Sequence, residues 1–150
     1  MARFRYRMQN ILNLKMKLEE QARMKYAEQR HALTLAEQQR DALIAEKERY
    51  EEESRSSVGE TVTIADLKLN AERITTMKYL IADQQKVVEK ENKKLDEVRA
   101  KLEEVMMERK AQEKLREKAF EQFKKDELAA ESKAIDELTS YVYGNKNPDE

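Results

Sequence analysis

The side chains that could do chemistry in this chain are scattered rather than convergent. Its single histidine, His31, has no second histidine beside it, and the sequence holds no cysteine. A ligated metal needs three or four converging donors, so His31 reads as an ordinary surface residue. Carboxylates are plentiful, as in Glu51-Glu52-Glu53. Acid–base catalysis, however, needs a cleft that pushes two carboxyl pKa values apart, and a run of adjacent acids reads as a solvated face. The two glycines, Gly59 and Gly144, lie too far apart to form a phosphate-cradling loop. These residues suggest no enzyme, no metal or organic cofactor and no small-molecule substrate.

One cluster remains. Arg3, Arg5 and Arg7 alternate with Phe4 and Tyr6 at the start of the chain. Such a segment can grip nucleic acid, meet an acidic protein surface, or serve no specific role. A formal net charge of −1 and the lack of any nucleic-acid module argue against the first. The charge is unevenly placed: residues 1–30 hold eight Lys/Arg against three Asp/Glu, and residues 31–60 hold four against eight.

The elements that position these residues follow from composition and period. With 41% charged residues, 39% hydrophobic residues, 2 Gly and 1 Pro in 150 positions, the chain is too polar for an ordinary globular core. Such composition belongs to long helices and coiled coils. No run approaches the roughly 20 apolar residues of a membrane span, and no apolar stretch follows the basic start, so a secretory signal is not expected. The cytoplasm is the expected compartment.

Phe4, Met8, Ile11, Leu18, Ala22, Tyr26, Leu33, Ala36, Leu43 and Tyr50 recur at gaps of three, four and seven, which places them on one helical face. The steps Leu18–Ala22–Tyr26 form a stutter. The pattern stops at the turn-like cluster Ser54–Glu60. Thr63 and Asp66 then resemble a capping box, with Val62 and Leu67 placed for a hydrophobic staple. Beyond it Leu67, Ile74, Ile81, Val88, Leu95 and Leu102 repeat every seventh position, with Ala71, Lys78, Gln85, Asn92, Arg99 and Met106 as the expected second line of the seam. A later stripe follows at Leu128, Ile135, Leu138 and Val142, with Gly144 as the expected C-cap and Asn147-Pro148 in a frayed tail.

The sequence therefore predicts one all-α domain, residues 1–150, folded as a long antiparallel two-helix coiled coil. Helix one covers about 3–56, the turn about 57–63, helix two about 64–143 and the tail 144–150. At 1.5 Å per residue the helices span roughly 80 Å and 120 Å. A short connection makes them antiparallel, with Leu43 beside Ile74, Ala36 beside Ile81 and Ala22 beside Leu95. Helix one runs out near residue 114 of its longer partner, leaving Phe120, Phe123, Leu128, Ile135, Leu138 and Tyr141 uncovered, and such a stripe needs a partner. Met77, Leu80, Gln84 and Val87 widen the apolar arc early in helix two, either as a broadened seam or as a second docking face.

Phe4-Arg5-Tyr6-Arg7-Met8-Gln9-Asn10-Ile11-Leu12, followed by Lys17-Leu18-Glu19-Glu20-Gln21-Ala22, resembles the opening of the flagellar export family FliJ. Ile74, Met77, Leu80, Ile81 and Gln84 are similar to that family's pattern early in helix two. Glu131-Ser132-Lys133-Ala134-Ile135-Asp136-Glu137-Leu138 resembles its C-terminal segment, with Thr139 where an Ala often stands. The resemblance implies a fold like the central stalk of rotary ATPases and a non-enzymatic role in flagellar type III export. The joined termini would enter the pore of a hexameric export ATPase, with contact through Arg3, Phe4, Arg5, Arg7, Phe120, Phe123, Leu128, Ile135 and Leu138. Arg73, Met77, Leu80 and Gln84 would touch the membrane-embedded export gate. Export chaperones are further implied partners, and the implied location is cytoplasmic, peripheral at the inner membrane. The rival reading is a generic coiled-coil scaffold or tether, which could homodimerise. A prefoldin-like subunit would need a strand-rich hairpin near residues 55–63, which the sequence lacks.

Overall fold

Side chains of matching polarity return at steps of three and four along both halves of the chain, and each half forms one helix. A computed structural model describes residues 2–57, 59 and 61–145. Helix α1 runs Gln9–Ser56 (48 residues) and α2 runs Ile64–Gly144 (81 residues). The two pack against each other as a hairpin whose second helix is the longer. Among the described residues there is no strand.

Local chemistry sets the ends of both helices. Thr63 caps α2: its Oγ1 accepts from the Asp66 N–H at 3.2 Å, and its carbonyl accepts from the Leu67 N–H at 3.2 Å. This occupies one of the four amides that a helix start leaves without partners. Asp66 in the first turn also complements the helix dipole. At the end of α1 the hydroxyls of Ser56 and Ser57 donate to the carbonyls of Glu53 and Ser54. Gly59 then takes a φ of 108°, a left-handed conformation that side chains with a Cβ resist. Helix α2 ends at Gly144, the expected C-cap, but without a left-handed φ there. The only glycine with positive φ is Gly59. Asn147-Pro148 lies outside the described residues.

Two compact units divide the chain. The first holds Met1–Glu19 with Val105–Glu150, and the second holds Glu20–Glu104.

In the second unit Leu33, Ala36, Val88 and Leu95 form the buried core, with Tyr26 packed against it. The α2 side of the seam runs through Ile74, Met77, Ile81, Gln84, Val88, Glu91, Leu95, Val98 and Leu102, all buried or half-buried. Its second line therefore falls at Met77, Gln84, Glu91 and Val98, one position before the line expected. Lys78, Asn92 and Arg99 stay exposed, as does Leu67. The polar members decide this phase. Gln84 donates to the Ala36 carbonyl at 3.0 Å and to Gln39 Oε1 at 3.3 Å, and Gln29 Nε2 donates to Glu91 Oε2 at 2.5 Å. A buried amide with partners costs little, whereas a buried lysine charge costs a great deal. Ala36 thus meets Gln84 rather than Ile81, about one turn further along α2. Counting equal arms from the middle of the Ser56–Ile64 connection leads to the same pairing. Near the turn, the Asn70 side-chain amide donates to the Tyr50 carbonyl at 3.0 Å and to the Ser54 hydroxyl.

The first unit buries Tyr6, Leu12, Glu19 and Val105. Glu19, only 6% exposed, occupies the seam where the apolar pattern had pointed to Leu18. With Glu19 in line, Lys15, Glu19, Ala22 and Tyr26 follow steps of four, three and four, and the expected stutter disappears. The Arg109 guanidinium makes this possible by pairing with Glu19 while Nη1 donates to Glu113 Oε2 at 2.8 Å. A carboxylate leaves water only when such a partner meets it. Helix α1 also begins later than expected. Residues 2–6 have no regular secondary structure, Arg7 and Met8 form a turn, and the helix starts at Gln9, whose N–H donates to the Tyr6 carbonyl at 3.2 Å.

Candidate partner-binding surfaces

The non-helical start is a strap laid against α2, and its sequence explains its course. In an extended segment successive side chains point to opposite sides. Phe4 and Tyr6 turn inward, half-buried and buried, while Arg3, Arg5 and Arg7 are exposed. The Phe4 ring meets Phe120 edge-on at 5.0 Å and Phe123 at 5.5 Å, both favourable aromatic geometries. The Arg116 guanidinium lies over the Phe4 ring, 5.6 Å from its centroid. The Tyr6 hydroxyl donates to Gln112 Oε1 at 2.9 Å. Phe123 is therefore half-buried and not bare, as the sequence had suggested, whereas Phe120 touches Phe4 and is still 38% exposed. The strap supplies part of the cover that helix one is too short to give.

Further along α2 the apolar side chains are exposed to solvent. Leu128, Ile135, Leu138, Tyr141, Val142 and Tyr143 are all exposed. Water around so many apolar groups on one helical stretch marks an interaction surface. The positions expected to meet an ATPase thus fall into two sets. Phe4, Phe120 and Phe123 are joined in one aromatic cluster. Arg3, Arg5, Arg7, Leu128, Ile135 and Leu138 reach solvent.

The four positions expected at an export gate lie in the second unit and differ in availability. Leu80 is 42% exposed, and its neighbour Val87 is 43% exposed. Arg73 is also exposed, with its guanidinium 5.8 Å over the Tyr50 ring. Met77 is half-buried in the seam, and Gln84 spends its amide on Ala36 and Gln39. The second stripe is thus split: Met77 and Gln84 belong to the seam, and Leu80 and Val87 flank it.

Periodicity missed the polar rungs of the seam. Lys15 Nζ lies 2.7 Å from Glu108 Oε2, and Arg109 bridges Glu113 and Glu19. Those carboxylates, Glu113 first, hold the Arg109 guanidinium above its ordinary pKa. The amide of Gln29 holds the Glu91 carboxyl below its ordinary value, with Lys94 adding to the effect. A search for charge and amide pairs at heptad spacing would have found these rungs. His31 is exposed, and among the described residues no group of three or more His, Cys, Asp or Glu could hold a metal. No helix among them is long and apolar enough to cross a membrane.

Comparison with known proteins agrees with this architecture. A solved structure of a Chlamydia trachomatis protein described as a YscO homologue matches with a TM-score of 0.73 at 17% identity. The match covers 95% of this chain and 96% of that one, a likeness of fold. No curated protein sequence matches the chain. A family model described as flagellar FliJ protein matches residues 4–148. The chain belongs to the FliJ family and is a component of the flagellar export apparatus.

Proposed function

We propose that this protein is a non-enzymatic connector that engages the hexameric export ATPase through its first unit and the export gate through its second. Export chaperones are further partners in this reading, which places the protein at the cytoplasmic face of the inner membrane. The observation that carries it is the run of exposed apolar side chains from Leu128 to Val142, further along α2 than the Phe120 and Phe123 that the strap touches. Burying such area yields about 25 cal/mol per Å², and a pore that encloses a helix covers every face of it. The exposed Arg3, Arg5 and Arg7 belong to the same unit and suit an acidic rim. Leu80, Val87 and Arg73 are the exposed members of the gate-facing set, and Met77 and Gln84 hold the seam beneath them.

The test is titration of the labelled protein against purified export ATPase. Removal of residues 128–150 keeps Phe120 and Phe123 beneath Phe4, so the strap retains its seat. This truncation is expected to abolish ATPase binding while circular dichroism reports intact helix. Undiminished binding by the folded truncation would overturn the ATPase contact and favour a scaffold whose exposed stripe meets some other protein. For the gate, Leu80→Ser with Val87→Ser is expected to reduce capture by the gate's cytoplasmic portion and to leave ATPase binding unchanged.

A further inference from the structure

The strap does more than touch two phenylalanines. Between residues 3–8 and one flank of α2 lies an open groove of about 820 Å³. Leu115, Ala119 and Phe123 give its α2 wall an apolar character, with Gln122 and Asp126 at the same wall. The opposite wall carries Arg3, Arg5 and Arg7. Among the described residues none of these three guanidiniums lies within ion-pair distance of a carboxylate, although Asp126 shares the groove. Three unpaired cations in five residues, in a chain of net charge −1, form a local field that an anionic partner would neutralise.

Geometry narrows the partner. Arg3 and Arg5 flank the inward-facing Phe4 ahead of the turn at Arg7, and alternate side chains of an extended chain stand about 6.6 Å apart, twice the rise of a strand residue. An extended peptide with a carboxylate at every second position has the same repeat. Its intervening side chains would face the apolar wall. From Leu115 to Phe123 that wall is about 12 Å long at 1.5 Å per residue, which suits about four extended residues. We propose that this groove docks a linear segment of a partner protein in which acidic and apolar residues alternate. The carboxylates would pair with Arg3, Arg5 and Arg7, and the apolar side chains would rest on Leu115, Ala119 and Phe123. A membrane surface fits less well, because Phe4 and Tyr6, the groups that would enter a bilayer interface, face α2 instead. The inference deepens the ATPase-contact reading by naming the chemistry recognised there, and it rests on that reading for the kind of protein that carries the segment.

The experiment titrates a fluorescein-labelled peptide of alternating Glu and Leu against the full-length protein. Saturable binding is expected, weakened at least about tenfold by Arg5→Glu with Arg7→Glu, and similarly when Ser replaces every Leu in the peptide. Lys86→Glu with Lys90→Glu makes the same change in net charge outside the groove and should leave binding unchanged. Ala119→Phe, which narrows the groove, should weaken binding about as much as the arginine reversals. Gln122→Glu sets a like charge on the α2 wall and is the alternative should the bulkier side chain disturb folding. No saturable binding, equal loss in the Lys86/Lys90 variant, or indifference to the Leu→Ser peptide would each overturn the proposal. So would tighter binding to phosphatidylserine-containing vesicles than to the peptide, which would make the strap a lipid contact. The ATPase titration is run alongside: binding to the ATPase without binding to the peptide sinks the groove proposal alone. Peptide binding without ATPase binding sinks the connector reading and leaves the groove.

Discussion

The side-chain amide of Gln84 donates to the carbonyl oxygen of Ala36 at 3.0 Å, across the seam of the second unit. This contact identifies the register, since the apolar spacing alone had placed Ile81 opposite Ala36. Cysteines at Ala36 and Gln84 are therefore expected to form an oxidative cross-link within one chain faster than cysteines at Ala36 and Ile81. Gel mobility of the oxidised, unreduced protein reads the outcome. Cross-linking only between chains would mean that the seam joins two copies.

Leu95 is the most deeply buried large side chain, at 2% exposure, whereas Val87 is 43% exposed. Leu95→Ala should cost about 2–3 kcal/mol, the low end for a large-to-small core change, because a two-helix seam allows partial collapse around the gap. Val87→Ala should cost less than about 0.5 kcal/mol, as surface changes do. Urea denaturation followed by circular dichroism measures both. Equal losses would make Val87 part of the core and remove it from any docking face.

Glu19 and Arg109 offer a different test. Arg109→Leu removes the cation that α2 presents to the buried Glu19 carboxylate, and the denaturation midpoint should fall. Glu19→Leu with Arg109→Leu replaces the pair by apolar groups and should recover most of that loss, since buried pairs seldom outperform well-packed apolar residues. A double variant no more stable than Arg109→Leu would show that the guanidinium stabilises the seam by more than neutralising Glu19.

A pH dependence follows from Glu91, whose carboxyl is held below its ordinary value by the Gln29 amide. For a depressed acid the stabilisation is complete above the unfolded pKa and is lost as pH falls through the lower folded one. Thermal melts from neutrality down to about pH 3, which spans the ordinary carboxylate range, should show falling stability. Gln29→Leu should flatten that fall by bringing the folded pKa back toward the unfolded value. An unchanged slope in Gln29→Leu would assign the acid sensitivity to other carboxylates.

The strap can be probed through Tyr6, whose hydroxyl reaches Gln112 at 2.9 Å. Tyr6→Phe should cost about 1 kcal/mol, the usual net worth of one hydrogen bond. Phe4→Ala should go further and free the strap, seen as faster amide exchange and proteolysis confined to the first residues. Exchange that speeds up along α1 as well would mean that the strap holds the helix as well as itself.

Much of the fold could be read from local pattern. Heptad spacing, scarce glycine and a Thr63 cap were enough to read two long helices, a turn before Ile64 and a longer second arm, because backbone hydrogen bonding and apolar period are local properties. The family was legible in the motif at Phe4–Leu12. Three things were decided only by tertiary structure. Which flank of α2 forms the seam depended on partners for Gln84 and Glu91, and periodicity is blind to hydrogen bonds between distant residues. Glu19 entered the seam because Arg109, ninety positions on, neutralises it, so an apolar count assigned its place to Leu18. The start of the chain is a strap and not a helix because Phe4 and Tyr6 find Phe120, Phe123 and Gln112 on the other arm. That contact, and the groove it leaves beside Arg3, Arg5 and Arg7, exists only once the two arms of the first unit lie side by side.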